Sequence, residues 1–333
     1  MTSVSLLVIN YRSASLAADA IRTARAASSK PLQVVVVDNS VDAAEAEALR
    51  KLSDVLIAAP RNLGYAGGIN AGRRAADGEV IIVSNPDVRF GEGAIDRLVE
   101  ADAAVAGPAL FWDDAHQWML PPAELHTRAE VIDRVFASRS RTWARRRDRR
   151  RFLDRVAFWS LDRPGRVDAL SGAVMAIRVS AFDAAGGFDE RFQLYFEEND
   201  FLRRVRGEIV YVPAARCRHL YNQSAGASSE AASLYAQSEL LYLKKWGGAF
   251  AKRFERSLPL LPGEHDAVSE EDVVTEASPL ASFDTAAGHF GRAAADVPDD
   301  IRNSYRGDVL YLRTVERRTG RVLRSWAKAR ISG

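Results

Sequence analysis

The residues best suited to chemistry stand in five short stretches, several of them directly after apolar runs. Asp38 follows VVVV and precedes Asn39 and Ser40. A carboxylate at the end of a buried strand can accept a hydrogen bond from a base N–H or a ribose hydroxyl, and the same residues can equally cap a helix. Asn62-Leu63-Gly64-Tyr65-Ala66-Gly67-Gly68-Ile69-Asn70 places three glycines in five residues. That density permits close backbone approach to a ligand, with Ile69 to Ala76 offering a helix N-terminus to phosphate; it matches neither G-x-G-x-x-G nor a P-loop and is also compatible with a tight loop. Asp87, in Ser84-Asn85-Pro86-Asp87-Val88, follows VIIV. One carboxylate there suits a hard divalent ion bridging two phosphates, although Asn-Pro-Asp is a common turn too. Glu197-Glu198-Asn199-Asp200 gathers three carboxylates in four residues, flanked by Tyr195, Phe196 and Phe201. At a helix start one can bond backbone N–H groups, one can pair Arg203 or Arg204, and one is left as a general base; a plain acidic helix terminus leaves the apolar surroundings unexplained. His219 precedes a Ser/Gly loop and is either a structural histidine or a neutral imidazole ligand to the metal of Asp87.

These groups need a frame. Val4 to Ile9, Val34 to Val37 and Val80 to Val83 are β-branched runs of strand length, and Ser15 to Ala27 and Ala43 to Lys51 between them are Ala-rich with charges at helical spacing. The order β-α-β-α-β predicts an α/β sandwich whose functional loops sit at the strand carboxyl ends, where Asn10-Tyr11, Asp38-Asn39-Ser40 and Asn85-Pro86-Asp87 stand. Further on, Val167 to Ile177 reads as a strand around Ser171-Gly172, Asp200 to Arg206 as a short helix, Ile209 to Val212 as a strand and Ser229 to Trp246 as a helix. Val309 to Val315 and Val322 to Ile331 flank Arg318-Thr319-Gly320 as a β-hairpin.

The whole chain, 333 residues with 47% hydrophobic and 27% charged, has the composition of a globular protein and excludes a collagen, a disordered tail or a disulfide scaffold. Its lone Cys217 forms no internal disulfide, and no apolar run approaches a membrane span, so the expectation is a cytoplasmic protein, soluble or peripheral on the inner membrane face. The net charge of +2 conceals opposed blocks. Arg139 to Arg155 holds nine Arg and two Asp, Ser257 to Asp300 ten acidic residues and one Arg, and Ile301 to Gly333 nine basic residues and two acidic ones. The segment 111–166 is therefore read as an insertion or mobile Arg-rich loop, 257–300 as an acidic linker, and 301–333 as a separate hairpin segment after a domain of 1–256.

Seven stretches, VSLLVINYRS, VVVVDNS, NLGYAGGINAG, SNPDV, SGAVMAIR, GFDERFQLYFEENDFLRR and RHLYNQSAG, together resemble the GT-A fold, family 2 inverting glycosyltransferases, and within them the rhamnosyltransferase-like group. They occur in family order over roughly residues 4 to 248. The resemblance implies a Rossmann-like mixed sheet with helices on both faces, here followed by a small β-containing appendage. It implies that Asn10, Tyr11, Asp38 and Asn39 surround the nucleotide, that Asn62, Gly64, Gly67, Asn70 and Gly172 line the sugar pocket, and that Asn85 and Asp87 stand where the family has its metal-binding Asp-x-Asp. His219 is then a further metal ligand, with Mg²⁺ or Mn²⁺ as cofactor, Glu198 the catalytic base with Glu197 as its alternative, and Asp200 and Arg203 support for that helix start. Two departures stand out: Asn85 replaces a carboxylate, and Glu198 replaces the usual Asp. The implied activity is sugar transfer from a nucleotide-diphosphate donor, dTDP-rhamnose or a UDP-sugar, to a glycan or lipid-linked acceptor in cell-surface polysaccharide or glycolipid synthesis. Homo-oligomerisation stays open, and no specific nucleic acid is expected. The competing reading is a non-catalytic nucleotide-sugar or polyanion binder whose Arg-rich loop meets membrane or nucleic acid.

Overall fold

Seven residues of unbroken apolar or small character make β1 (Val4–Asn10), buried along its whole length. Its alternate side chains feed two cores: Leu6 and Val8 join one, Leu7 and Ile9 the other, as the period of two of a strand buried on both faces requires. The computed structural model describes residues 2–220, 229–261, 263, 272–291, 294 and 296–329; the Tyr221 to Gly226 part of the stretch after His219 lies outside the described residues. From β1 the chain runs through α1 (Ala14–Ala26), β2 (Gln33–Asp38), α2 (Ala43–Arg50), β3 (Val55–Ala58), α3 (Gly64–Arg73) and β4 (Val80–Ser84). The predicted alternation holds with one addition, since β3 is a half-buried edge strand of four residues too short to register as an apolar run. The glycine stretch is already helical from Gly64, five residues before Ile69. Its glycines serve packing: a Cβ on Gly68 would come within 2.9 Å of Ile9 Cγ2, and one on Gly72 would collide with Leu7, so α3 lies directly on β1.

Next come β5 (Val88–Phe90), α4 (Ala94–Glu100), β6 (Val105–Phe111), α5 (Arg128–Ala137), α6 (Arg141–Trp159), β7 (Gly165–Arg166), β8 (Val174–Arg178), α7 (Val179–Ala184), α8 (Glu197–Arg204) and β9 (Ile209–His219). The large sheet has the order β3-β2-β1-β4-β8-β6-β9-β5, with β7 paired to β9. β1, β2, β3 and β4 are mutually parallel, β8 runs against β4 and β6, and β9 runs with β6. The carboxyl ends of β1, β2, β4 and β9 therefore open on one edge. Because β8 is antiparallel and starts only at Val174, its entry turn through Ser171 and Gly172 lies on that edge as well.

The segment read as a mobile Arg-rich loop forms two helices, capped by Thr127, whose Oγ1 accepts from Glu130 N, and by Ser140, whose Oγ accepts from Trp143 N. The buried stripe of α6 is Ala144, Arg147, Phe152, Arg155 and Trp159. Two of the five are arginines, so no apolar period announces the helix.

Beyond α9 (Ser229–Trp246) and α10 (Ala249–Lys252), the chain adds β10 (Val273–Ser278), β11 (Ala287–Phe290), α11 (Asp299–Ser304), β12 (Val309–Glu316) and β13 (Val322–Ala329). The predicted hairpin is there, as β12–β13, within a four-stranded antiparallel sheet of order β11-β10-β12-β13. The stretch read as an acidic linker supplies the other two strands and the partners of α6. Arg155 meets Glu276 at 2.7 Å, Arg313 meets Glu276 at 2.7 Å and Asp148 at 2.8 Å, and Arg147 and Arg151 reach Asp284 at 2.8 and 3.1 Å. Among the described residues no helix is long and apolar enough to cross a membrane.

Candidate functional site

At the β1 and β2 ends a knot of side chains closes the sheet edge. Asn10 Nδ2 lies 3.0 Å from Asp38 Oδ1, 3.3 Å from Ser40 Oγ and 3.0 Å from Glu45 Oε2, and Asn10 Oδ1 accepts from Ser13 Oγ at 2.9 Å. Asp38 Oδ1 also accepts from Ser40 N at 3.0 Å, so this carboxylate holds the turn as well as facing the edge. Asn39 points the other way: its Nδ2 donates to Gly64 O at 3.0 Å and its Oδ1 accepts from Leu63 N at 3.3 Å, which fixes the start of α3. Asn62 accepts from Gly64 N at 2.9 Å. Tyr11 is 46% exposed beside Arg12, whose guanidinium lies 5.3 Å from the ring centre. An aromatic ring this exposed at a strand end has the surface on which a planar group can stack.

Asp87 and His219 meet because β5 pairs with β9, opposing Val88 to His219, and because Leu220 N donates to Asp87 O at 3.0 Å. His219 Nε2 lies 3.3 Å from Asp87 Oδ1, a buried oxygen without a well-aligned hydrogen bond. Burial pushes the Asp87 carboxyl up, but the facing imidazole and Arg89 outweigh it and hold the group below the usual carboxylate range. A carboxylate oxygen facing a ring nitrogen could share a divalent cation with it, the remaining ligands coming from phosphate and water. Among the described residues no group of three or more His, Cys, Asp and Glu is assembled. Asn85 is anchored next to them through its backbone N, which donates to Ala173 O at 2.9 Å.

The glutamates enter on a strained turn. Tyr195 and Phe196, neither glycine, have φ of 69° and 66°, a left-handed conformation that costs about 1–2 kcal/mol per residue. Aromatic packing holds it: the Phe196 ring lies 4.7 Å from His126, 5.2 Å from Tyr235 and 5.3 Å from Tyr242. The turn starts α8 three residues before the predicted Asp200, which places Glu197 and Glu198 in its first turn. Glu197 is buried and its Oε2 has no hydrogen-bond partner. Glu198 is half-buried, accepts from Asn199 Nδ2 at 3.1 Å, and has its Cβ and Cγ 3.4 Å from the place a Cβ on Gly172 would occupy. Among the described residues no cation pairs with either. Burial raises both carboxyls above the ordinary Glu range, and the neighbouring Glu198 raises Glu197 further.

Tyr65 joins these parts and was not singled out from the sequence, where its only signal is being the aromatic residue among the glycines. Its hydroxyl donates to Gly172 O at 2.9 Å. Burial first, and then the charges of Glu197, Glu198 and Asp87, raise its pKa, so it stays a neutral O–H donor among three carboxylates.

Other expected residues sit in the frame around the site. Asp200 is fully buried and engaged by Arg204 Nε at 3.0 Å, Trp246 Nε1 at 2.8 Å and Lys245 Nζ at 2.7 Å, which ties α8 to α9. Arg203 stacks over Tyr242 and Trp246, 5.4 and 5.0 Å from their ring centres. Asn70 clasps the Phe188 backbone from both sides at 2.9 Å and donates to Glu190 at 2.9 Å. Gly67 lies inside α3 against Leu63.

A mixed, helix-flanked sheet with acidic and imidazole groups on one carboxyl edge has the GT-A architecture. A model described as "Glycosyl transferase family 2" matches residues 5–170. Two relatives, the N-acetylglucosaminyl-diphospho-decaprenol L-rhamnosyltransferases of Mycobacterium tuberculosis strains CDC 1551 / Oshkosh and ATCC 25618 / H37Rv, are each 30% identical over 225 residues, covering 60% of this chain and 70% of theirs. The chain belongs to glycosyl transferase family 2. Solved structures similar to it include GalNAc-T7 with UDP, GalNAc and Mn²⁺, at 14% identity and TM-score 0.49 over 73% of this chain and 48% of that one. Another is the mannosyltransferase PcManGT from Pyrobaculum calidifontis with GDP-Man and Mn²⁺, at 14% identity and TM-score 0.45 over 76% of this chain and 74% of that one.

Proposed function

We propose that the protein transfers a sugar from a nucleoside-diphosphate donor to an acceptor hydroxyl with inversion at the anomeric carbon. The observation that carries this reading is Glu198, a carboxylate that meets no cation among the described residues and packs against Gly172 at the sheet edge that also bears Asp87 and Asp38. Glu198 takes the proton of the acceptor hydroxyl as its oxygen bonds to the anomeric carbon, and the bond from that carbon to the diphosphate oxygen breaks, its electron pair leaving with the nucleoside diphosphate. The half-burial of Glu198 favours it over Glu197, which is enclosed. Tyr11 stacks the base, Asp38 faces the ribose, and Tyr65 holds the Gly172 turn against the glutamates. A divalent cation, Mg²⁺ or Mn²⁺, held by Asp87 and His219 would supply positive charge against the leaving diphosphate.

Rhamnose, from dTDP-rhamnose, is the favoured sugar because the two mycobacterial relatives are named rhamnosyltransferases, and UDP-sugars are the other donors to try. The acceptor is read as a glycan or lipid-linked saccharide for the same reason. The test is a panel of nucleotide sugars with either metal, reading released nucleoside diphosphate and acceptor product. Glu198→Gln is expected to lose about 10²–10⁴-fold in turnover while nucleotide binding by calorimetry stays nearly unchanged. Full activity in that variant moves the base to Glu197, and silence of the unaltered protein with every donor and acceptor sinks the transfer reading in favour of a binding protein.

A further inference from the structure

We propose that the corner where α5, α6 and α10 meet is a docking surface for an anionic lipid bilayer. Four large aromatic side chains stand out there: Phe136 and Trp143, and Phe250 and Phe254, between 40% and 71% exposed. They form two pairs, with ring centres 5.2 and 5.4 Å apart. The pairs belong to one corner. Gly248, just before α10, sits so close to α5 that a Cβ there would touch Val131, and Arg256 N donates to Ser138 Oγ at the end of α5 at 3.3 Å.

Arg139, Arg141, Arg253 and Arg256, adjacent to the rings in sequence, are exposed, and the Arg253 guanidinium lies 6.0 Å from the Phe250 ring centre. Carboxylates near this corner are paired: Asp133 of α5 with Arg150 at 2.6 Å, Glu255, just after α10, with Arg134 at 3.0 Å and Lys252 at 2.7 Å, and Glu239 of α9 with Arg134 at 2.6 Å, while Asp154 is exposed further along α6. What faces outward is thus apolar and cationic. Water disfavours exposed aromatic area of this extent, and arginine next to Trp and Phe matches the boundary of a bilayer, where rings enter the acyl region and guanidinium groups meet phosphate. The charge selects an anionic surface, each Arg adding to attraction that salt screens. The Arg run keeps only part of its expected role in this: Arg147, Arg151 and Arg155 turn inward to Asp284 and Glu276.

The surface also connects to the sugar site. Val131, on α5, packs in one cluster with Phe196 and Tyr242, so the helix that presents Phe136 outward braces the glutamate turn inward. The proposal deepens the lipid-linked acceptor reading and rests on it only for the benefit of docking; vesicle binding needs no sugar transfer, so the two fail separately.

The experiment is flotation of the full chain with vesicles of phosphatidylcholine and phosphatidylglycerol, against pure phosphatidylcholine, at low and high salt, alongside single-stranded DNA binding and sedimentation of the free protein. The unaltered chain is expected to float with the anionic vesicles and to be released by salt. Phe250→Ser with Phe254→Ser, and separately Arg139→Glu with Arg253→Glu, should each weaken vesicle binding about tenfold or more with an unchanged melting temperature. Trp143→Ser serves as a second ring variant should the Phe pair lower the melting temperature. The proposal is overturned by equal vesicle binding of all variants, by absence of binding in the unaltered chain, by a preference for single-stranded DNA over the vesicles, or by variants that change only the sedimentation of the protein with itself.

Discussion

Two adjacent glutamates that meet no counter-ion among the described residues set the pH behaviour expected of the proposed site. A general base acts only when ionised, and burial raises both Glu197 and Glu198, so activity is expected to fall away as pH drops through a value above the ordinary Glu range of about 4.3. A kcat/KM profile in which the acid limb sits at the ordinary value, or is unchanged in Glu198→Gln, contradicts this assignment. Tyr65→Phe keeps the ring and deletes the hydrogen bond to Gly172 O. It should lower kcat about tenfold with little change in nucleotide affinity, measured by calorimetry. The positions of Asn10, Asp38, Asp87 and His219 were legible because each stands beside a strand end that apolar patterning announces, and Glu198 was marked by its acidic cluster rather than by any apolar period. Tyr65 was hidden because its reach depends on α3 starting at Gly64, and the glycines that place it there look, without a fold, like a ligand loop.

Helix α6 shows why an element can be invisible in sequence. Amphipathic reading looks for an apolar stripe, and here Arg147 and Arg155 occupy the stripe, Arg155 met by Glu276 and Arg147 by Asp284, both more than 100 positions away, and Arg147 also by Asp133 of α5. The opposed charge blocks were plain in the sequence; which block met which was not, because pairing across that distance is a property of the packed chain. Removing one partner of such a buried pair leaves the other uncompensated. Glu276→Gln strands part of both Arg155 and Arg313 and should cost about 3–5 kcal/mol, read by denaturant unfolding. Asp284 adds a pH term. Burial raises its carboxyl, but Arg147 and Arg151 outweigh that and hold it below its unfolded value, so its stabilisation is complete above the unfolded pKa and is lost as pH falls through the lower folded one. Unfolding midpoints of Asp284→Asn should therefore converge with those of the unaltered chain only in acid.

The molecule as a whole is two sheets joined by charge, by a backbone bridge and by apolar packing. Met119 bridges to Gly288 through their backbones, Trp159 rests on Gly288, and the α6 arginines reach β10 and the turn before β11. The β-α-β order and the site-bearing edge followed from the first 90 residues, whereas the C-terminal sheet was foreseen only as its hairpin. That connection carries a timetable. Arg155 is separated from Glu276 by 121 positions and Asp148 from Arg313 by 165, so on the ribosome α6 emerges long before these C-terminal partners exist. A nascent chain arrested after α10 still offers Arg147 its Asp133 and Arg151 its Glu124, but it leaves Arg155 with no carboxylate to meet until β10 is released.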